Sequence, residues 1–254
     1  MNGIAKVVVA TALVLPISAA LVMGSAEMLS PVEWPVAVEG TIEGQSALLT
    51  DSLGQLERAQ SGSSEELSSK YLSALMENGD TVGWLSIPEY GVSYPVVQGE
   101  DNKEYLRTSF EREPDVAGAI FLDSRCNLDT AGCLKIVHGH NMKDGRMFAL
   151  LPQMLHLRST ADAPSIYWYS PSDGLVEYVV VSVLSLDSTK ESLGVDGWYS
   201  IDDLTGLKEQ LINRSYIPIG TEASGTDLLI LNTCWYGESG QQHNLHCVVV
   251  AGRK

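Results

Sequence analysis

The chain has 254 residues, 44% of them apolar, 19% charged and 7% aromatic, which suits one domain with a sizeable core or two small ones and excludes a peptide hormone or a disulfide miniprotein. Its 32 acidic and 16 basic residues give a formal net charge of −16, and no basic run exceeds two residues, so no nucleic-acid partner is expected. Four cysteines without paired CxxC spacing are too few for a disulfide scaffold and wrongly spaced for a zinc ribbon.

Residues 1–26 place Lys6 before the uncharged stretch Val7 to Met23. That length sits at the lower limit for a membrane-crossing helix and is long for a signal-peptide core. Gly24-Ser25-Ala26 offers small residues to a signal peptidase, so a cleaved signal and a retained single-pass anchor both fit. With the amine and Lys6 as the nearby positive charges, residues 24–254 are expected outside the cell, at the outer face of its membrane, where disulfides persist. Residues 27–80 read as a stalk with Pro31, Pro35, Gly40 and Gly44, followed by a helix over 63–78. Its start signal is Ser63 or Ser64 before Glu65-Glu66, and its apolar residues are Leu67, Tyr71, Leu72, Leu75 and Met76. From residue 81 to 254 the texture becomes short β-like runs: VGWLSI, VSYPVV, GAIFL, CLKIVHG, SIYWY, LVEYVVVSVLSL, DLLILNTC and HCVVVAG. One helical insert over 201–213 follows Ser200, an N-cap candidate. Many strands and few helices predict a mainly β domain, an antiparallel barrel or sandwich of about 170 residues.

Three features could carry chemistry. The run DLLILNTCWY ends an apolar strand in Cys234 just before a polar, glycine-bearing loop. A strand cysteine is commonly inert packing, but one at a strand end can meet substrate as a nucleophile. The run KIVHGHNMKDGRMF ends another strand in His138 and His140, which point the same way if the strand continues. They could ligate a metal, partner a cysteine, or lie at a turn as surface histidines. In HNLHCVVVAGRK, a strand paired beside 228–234 would turn His246 toward Cys234 and Cys247 into the core. Cys126 and Cys133 bracket NLDTAG and could close a disulfide across a loop, or stand as two thiols.

Taken together, GWLSIPEYGVSYPVVQGEDNKEYL (83–106), GAIFLDSR (118–125), VHGHNMKDGRMF (137–148) and LILNTC (229–234) resemble, in order, the motifs of class B sortases of Gram-positive bacteria. The resemblance covers roughly residues 82–251. It implies an eight-stranded β-barrel with an N-terminal helix and an added helix between strands six and seven. It also implies a cysteine transpeptidase that cleaves a sorting motif near the C-terminus of a secreted protein. Cys234 would form a thioester acyl-enzyme and His140 would protonate the leaving amine; an amine of the cell wall or a pilin lysine would resolve the intermediate. Asn102, Leu106 and Thr233 would border the substrate, His138 would be a bystander, and no cofactor or metal is implied.

One position departs from the family pattern. An arginine is expected five residues before the alanine of the last strand, where it donates to the substrate carbonyl or oxyanion; counting back from Ala251 gives His246. Three cases follow: His246 replaces the arginine, another arginine such as Arg146 reaches in, or catalysis is impaired and the chain is a binding or assembly protein. Arg253 has the wrong parity to substitute, whereas Asn244 has the right one if the loop shifts. Trp235 stands where many class B members carry an acidic residue, outside the Cys–His chemistry. A metal held among His138, His140, His246 and Cys234 is a third reading without motif-grade spacing.

Overall fold

The computed structural model describes residues 64–128, 134–190, 201–221, 223, 227–237, 240 and 244–254. The expected leader (1–26), most of the stalk, the cap candidates Ser63 and Ser200, and Cys133 of the expected Cys126–Cys133 pair lie outside the described residues. Among the described residues no helix is long and apolar enough to cross a membrane.

Helix α1 (64–77) buries Leu67, Tyr71 and Ala74, which fall on one stripe of a 3.6-residue period. Leu72 and Met76, counted among its apolar face from the sequence, are instead 54% and 91% exposed. They lie about a third of a turn off that stripe. Tyr71 packs on Tyr169 with ring centroids 5.7 Å apart, and the Tyr169 hydroxyl donates to Ser68 Oγ at 2.9 Å, so the helix is held against the strand that carries Tyr169.

Eight strands follow: β1 (Thr81–Ile87), β2 (Val92–Val97), β3 (Phe121–Leu122), β4 (Leu134–His138), β5 (Ile166–Ser170), β6 (Gly174–Asp187), β7 (Leu228–Trp235) and β8 (Leu245–Arg253), with helix α2 (Ile201–Asn213) between β6 and β7. They close into a barrel in the order β1-β2-β3-β4-β7-β8-β6-β5, so no edge is left unpaired. The expected barrel and both helices are present. Of the expected strands, GAIFL alone shrinks to a two-residue strand: Gly118 turns at φ 57°, and the Ala119 amide donates to the Tyr105 carbonyl at 3.0 Å rather than to a strand. Most pairings are antiparallel, but β2–β3 and β4–β7 are parallel. The β4–β7 pairing is allowed because the long connection between them, through β5, β6 and α2, returns the chain in the same direction.

Side chains alternate between two cores. Leu85, Ile87, Val96, Val137, Trp168 and Val249 fill the barrel interior. On the outer face of β4, β6, β7 and β8, residues such as Ile136, Ile230, Val248 and Val250 pack under Leu204, Leu207 and Leu211 of α2. On β7 the outward set is therefore Leu228, Ile230, Asn232 and Cys234, and on β8 it is His246, Val248 and Val250. The outer face is apolar where α2 covers it and turns polar toward the C-terminal end of β7 and the start of β8.

Gly118 also holds one wall of that polar end. A Cβ there would run into the carbonyl oxygen of Tyr105 and the backbone of Leu106, and its positive φ strains any side chain. Gly118→Ala is expected to cost about 2 kcal/mol of stability, read from the urea midpoint, and to displace the Leu106 segment.

Candidate active site

The parallel register of β4 with β7 sets His138 beside Asn232, and Gly139 N continues it by donating to the Asn232 carbonyl at 3.2 Å. Two residues further along both chains, His140 comes level with Cys234, and Asn141 Nδ2 donates to the Cys234 carbonyl at 2.9 Å. On the other side, β8 pairs antiparallel with β7 so that Cys234 faces His246 directly. Side chains directly opposite in such a pair have Cβ atoms about 4.5–5.5 Å apart. Cys234 thus stands between two histidines, His140 just past the end of β4 and His246 on β8. All three line a cleft of about 260 Å³, together with Asn102, Leu106, Phe121, His138, Asn232 and the Thr233 segment.

His140 Nε2 donates to the Leu106 carbonyl at 2.9 Å, while the amide of Phe148 donates to the His140 carbonyl at 2.9 Å. The ring is therefore fixed through Nε2, which leaves Nδ1 for chemistry. Thr233 follows the strand alternation: its side chain turns inward, 2% exposed, and its hydroxyl finds no partner among the described residues, so only its backbone borders the cleft. Asn102 is a wall rather than a free hydrogen-bonding group. Its Nδ2 donates to Asp123 Oδ2 at 2.9 Å and its Oδ1 accepts from Ser124 N at 2.7 Å.

His138, expected from the sequence to be a bystander to the chemistry, is tied into a hydrogen-bonded network beside the cleft. Its Nε2 lies 3.0 Å from Asp123 Oδ2, its Nδ1 accepts from Asn232 Nδ2 at 3.1 Å, and its ring stacks at 5.1 Å on Phe121. Asn232 Oδ1 in turn accepts from His246 Nδ1 at 2.9 Å. Asp123, Asn232 and Phe121 had no place in the sequence reading. The parity of Asn232 with Cys234 was the signal for it; Asp123 was hidden because its contacts come from residues 102, 125 and 138.

Burial by itself raises the Asp123 carboxyl, but hydrogen bonds from Arg125, His138 and Asn102 outweigh it and hold the group well below the usual carboxylate range. The Arg125 guanidinium donates to both carboxylate oxygens at 2.8 Å, and its backbone amide donates to Oδ1 at 3.0 Å. Burial pushes the Cys234 thiol up. Burial, and then the neighbouring His138, push His246 down. Cys247, facing the barrel interior as expected, is raised to about 12 by burial and is an inert core thiol. Among the described residues no three His, Cys, Asp or Glu side chains are grouped to hold a metal ion.

Residues 85–254 match the family model of the sortase domain. The chain belongs to the sortase family. It is 31% identical to sortase B of Listeria monocytogenes over 159 residues, a stretch that is 62% of this chain and 63% of that protein. Sortase B of Clostridium perfringens superimposes with a TM-score of 0.63 at 25% identity, covering 72% of this chain and 98% of that one. The Staphylococcus aureus sortase B–substrate complex shares the fold, with a TM-score of 0.61 at 23% identity over 84% of this chain and 99% of that one. The class expected from the motifs is the class of these relatives.

Of the three ways in which this sortase could meet the missing arginine, the structure puts His246 on the cleft. Arg146 is engaged by Asp144 at 2.8 Å and Arg253 by Asp227 at 3.2 Å, and neither lines the cleft. Asn244 is exposed, its carbonyl accepting from the backbone and side chain of Ser188.

The depressed Asp123 carboxyl ties stability to pH. Its folded-state value lies below its unfolded one, so its contribution is complete above about pH 4 and is lost as pH falls through the depressed value. Asp123→Asn should unfold more easily than the parent at neutral pH, by about 2 kcal/mol or more. The gap should narrow at about pH 3 and below, which urea titrations at both pH values will show.

Proposed function

We propose that this chain is a class B-type cysteine transpeptidase working at the outer face of the cell membrane, with residues 1–26 as its leader or anchor. Cys234 attacks a backbone carbonyl within a C-terminal sorting motif of a secreted protein, and the acyl group is held as a thioester. His140 protonates the leaving amine and accepts a proton from the incoming one. An amine of the cell wall, or a pilin lysine, completes the transfer. The observation that carries this reading is the convergence of Cys234, His140 and His246 on one cleft through the registers of three adjacent strands. Asn102 and Leu106 form the wall along which the peptide is laid. No step calls for a cofactor.

The raised thiol means that Cys234 is protonated at neutral pH, so the mechanism needs a proton acceptor before or during attack. A second reading, a sortase-fold protein that holds a sorting peptide without turnover, draws its support from the histidine in place of arginine. Intact mass spectrometry of the full-length chain with sorting-motif peptides bearing a slow-leaving group separates the two. One adduct, placed on Cys234 and absent in Cys234→Ala, is the expected result. Peptide binding that survives in Cys234→Ala, with no adduct formed by the parent chain, would establish the binding protein instead.

A further inference from the structure

The two histidines beside Cys234 are held by different groups, and the difference assigns their protons. Asp123 is an ionised carboxylate clasped by Arg125 and Asn102, so it accepts only, and His138 must donate to it from Nε2. Asn232 Nδ2, which can only donate, lies 3.1 Å from His138 Nδ1, so that nitrogen is the acceptor, and the amide oxygen of Asn232 is turned toward His246. An amide oxygen takes a proton-bearing nitrogen, so neutral His246 carries its hydrogen on Nδ1 and its lone pair on Nε2. That Asn232 contact is the hydrogen bond His246 makes among the described residues, and its ring lines the cleft opposite Cys234.

We propose that His246 is the base that takes the Cys234 thiol proton, and that Asn232, oriented by His138 and Asp123, is the positioning residue that keeps the His246 lone pair on Nε2. This rests on Cys234 being the nucleophile of the proposed function. An arginine at this position could donate but never accept; a histidine can do both in turn. The thiol proton passes to His246 Nε2 as sulfur forms its bond to the carbonyl carbon and the π pair moves onto oxygen. The resulting imidazolium is then a charged donor beside that oxyanion. When the pair on oxygen reforms the carbonyl, the C–N bond breaks and protonated His140 gives its proton to the departing amine. In the second half an acceptor amine attacks the thioester and loses its proton to His140. The C–S pair returns to sulfur, and His246 hands the proton back. Both histidines end as they began.

The surroundings agree with these roles. Burial raises the thiol and lowers His246, so both are neutral before substrate arrives. The groups around His246 are Cys234 on β7, His138 on β4, Asp123 with Arg125 beyond β3, and His140 past the end of β4. From β6 it faces the uncharged Leu186, and the adjacent Asp187 is engaged by Lys190 at 2.8 Å.

The test follows iodoacetamide alkylation of Cys234, read by peptide mass mapping of the full-length protein from mildly acidic to alkaline pH. His246→Gln should slow it about 100-fold at neutral pH and leave only the rise due to the thiol's own ionisation. His140→Gln should block amine release from an amide peptide but not the alkylation. Asn232→Leu should retain the fold by circular dichroism while the ring-nitrogen NMR shifts of His246 change from a lone pair on Nε2 to a mixture of tautomers, which a merely structural role would not cause. Wild-type alkylation in His246→Gln, its loss in His140→Gln, or a proton found on Nε2 of neutral His246 would each overturn the assignment. If the peptide probes form no adduct on wild-type Cys234, the transpeptidase reading falls and this assignment with it; an adduct with unaltered alkylation in His246→Gln defeats the base assignment alone.

Discussion

The site depends on the side-by-side placement of β4, β7 and β8. A parallel pairing brings His138 level with Asn232, and an antiparallel one brings His246 opposite Cys234. Because side chains alternate strictly along a strand, a slip of one residue in either register would turn half of the site into the barrel. The apolar residues preceding the site forbid that slip. Ile136, Ile230, Val248 and Val250 must lie under α2, while Val137, Leu231 and Val249 must fill the interior. The geometry of the cleft is thus a consequence of two hydrophobic cores on opposite faces of the same strands.

At the polar end of those strands the fold meets a different requirement, that buried polar groups be paired. Asp123, 1% exposed, would be costly as a lone charge. Arg125, Asn102 and His138 neutralise and saturate it, and the remaining hydrogen-bonding capacity of His138 passes through Asn232 to His246. A chain of this kind orients each member through the next. It explains how a histidine at a position where the family pattern has an arginine can have a defined orientation and a defined proton. Stability and chemistry share the same four side chains.

Much of this was legible in the residues, for physical reasons that differ from case to case. The strands β1, β2 and β4 to β8 and the helix over 201–213 announce themselves through periodicity and turn residues, and the structure keeps nearly the same boundaries. Parity along β8 turns His246 toward Cys234 and Cys247 inward once that strand pairs beside 228–234, as it does. Periodicity read less well for α1, where Leu72 and Met76 belong to the apolar set but not to the buried stripe. It also overstated β3, where a positive-φ glycine and the bond from the Ala119 amide to Tyr105 leave a two-residue strand.

The sequence alone determined the strand periodicities, the residues of each motif, the presence of a cysteine and of histidines at strand ends, and the absence of arginine at residue 246. Each of those is local, written in residues a few positions apart. Only the tertiary structure decided that β4 runs parallel to β7, that Asp123 reaches His138, and that Asn232 joins His138 to His246. Those contacts join residues 14, 15 and 94 positions apart, all on different strands or the turns that follow them. They exist because the sheet order seats β7 between β4 and β8, and hydrogen bonds between side chains of different strands leave no periodic trace in either one.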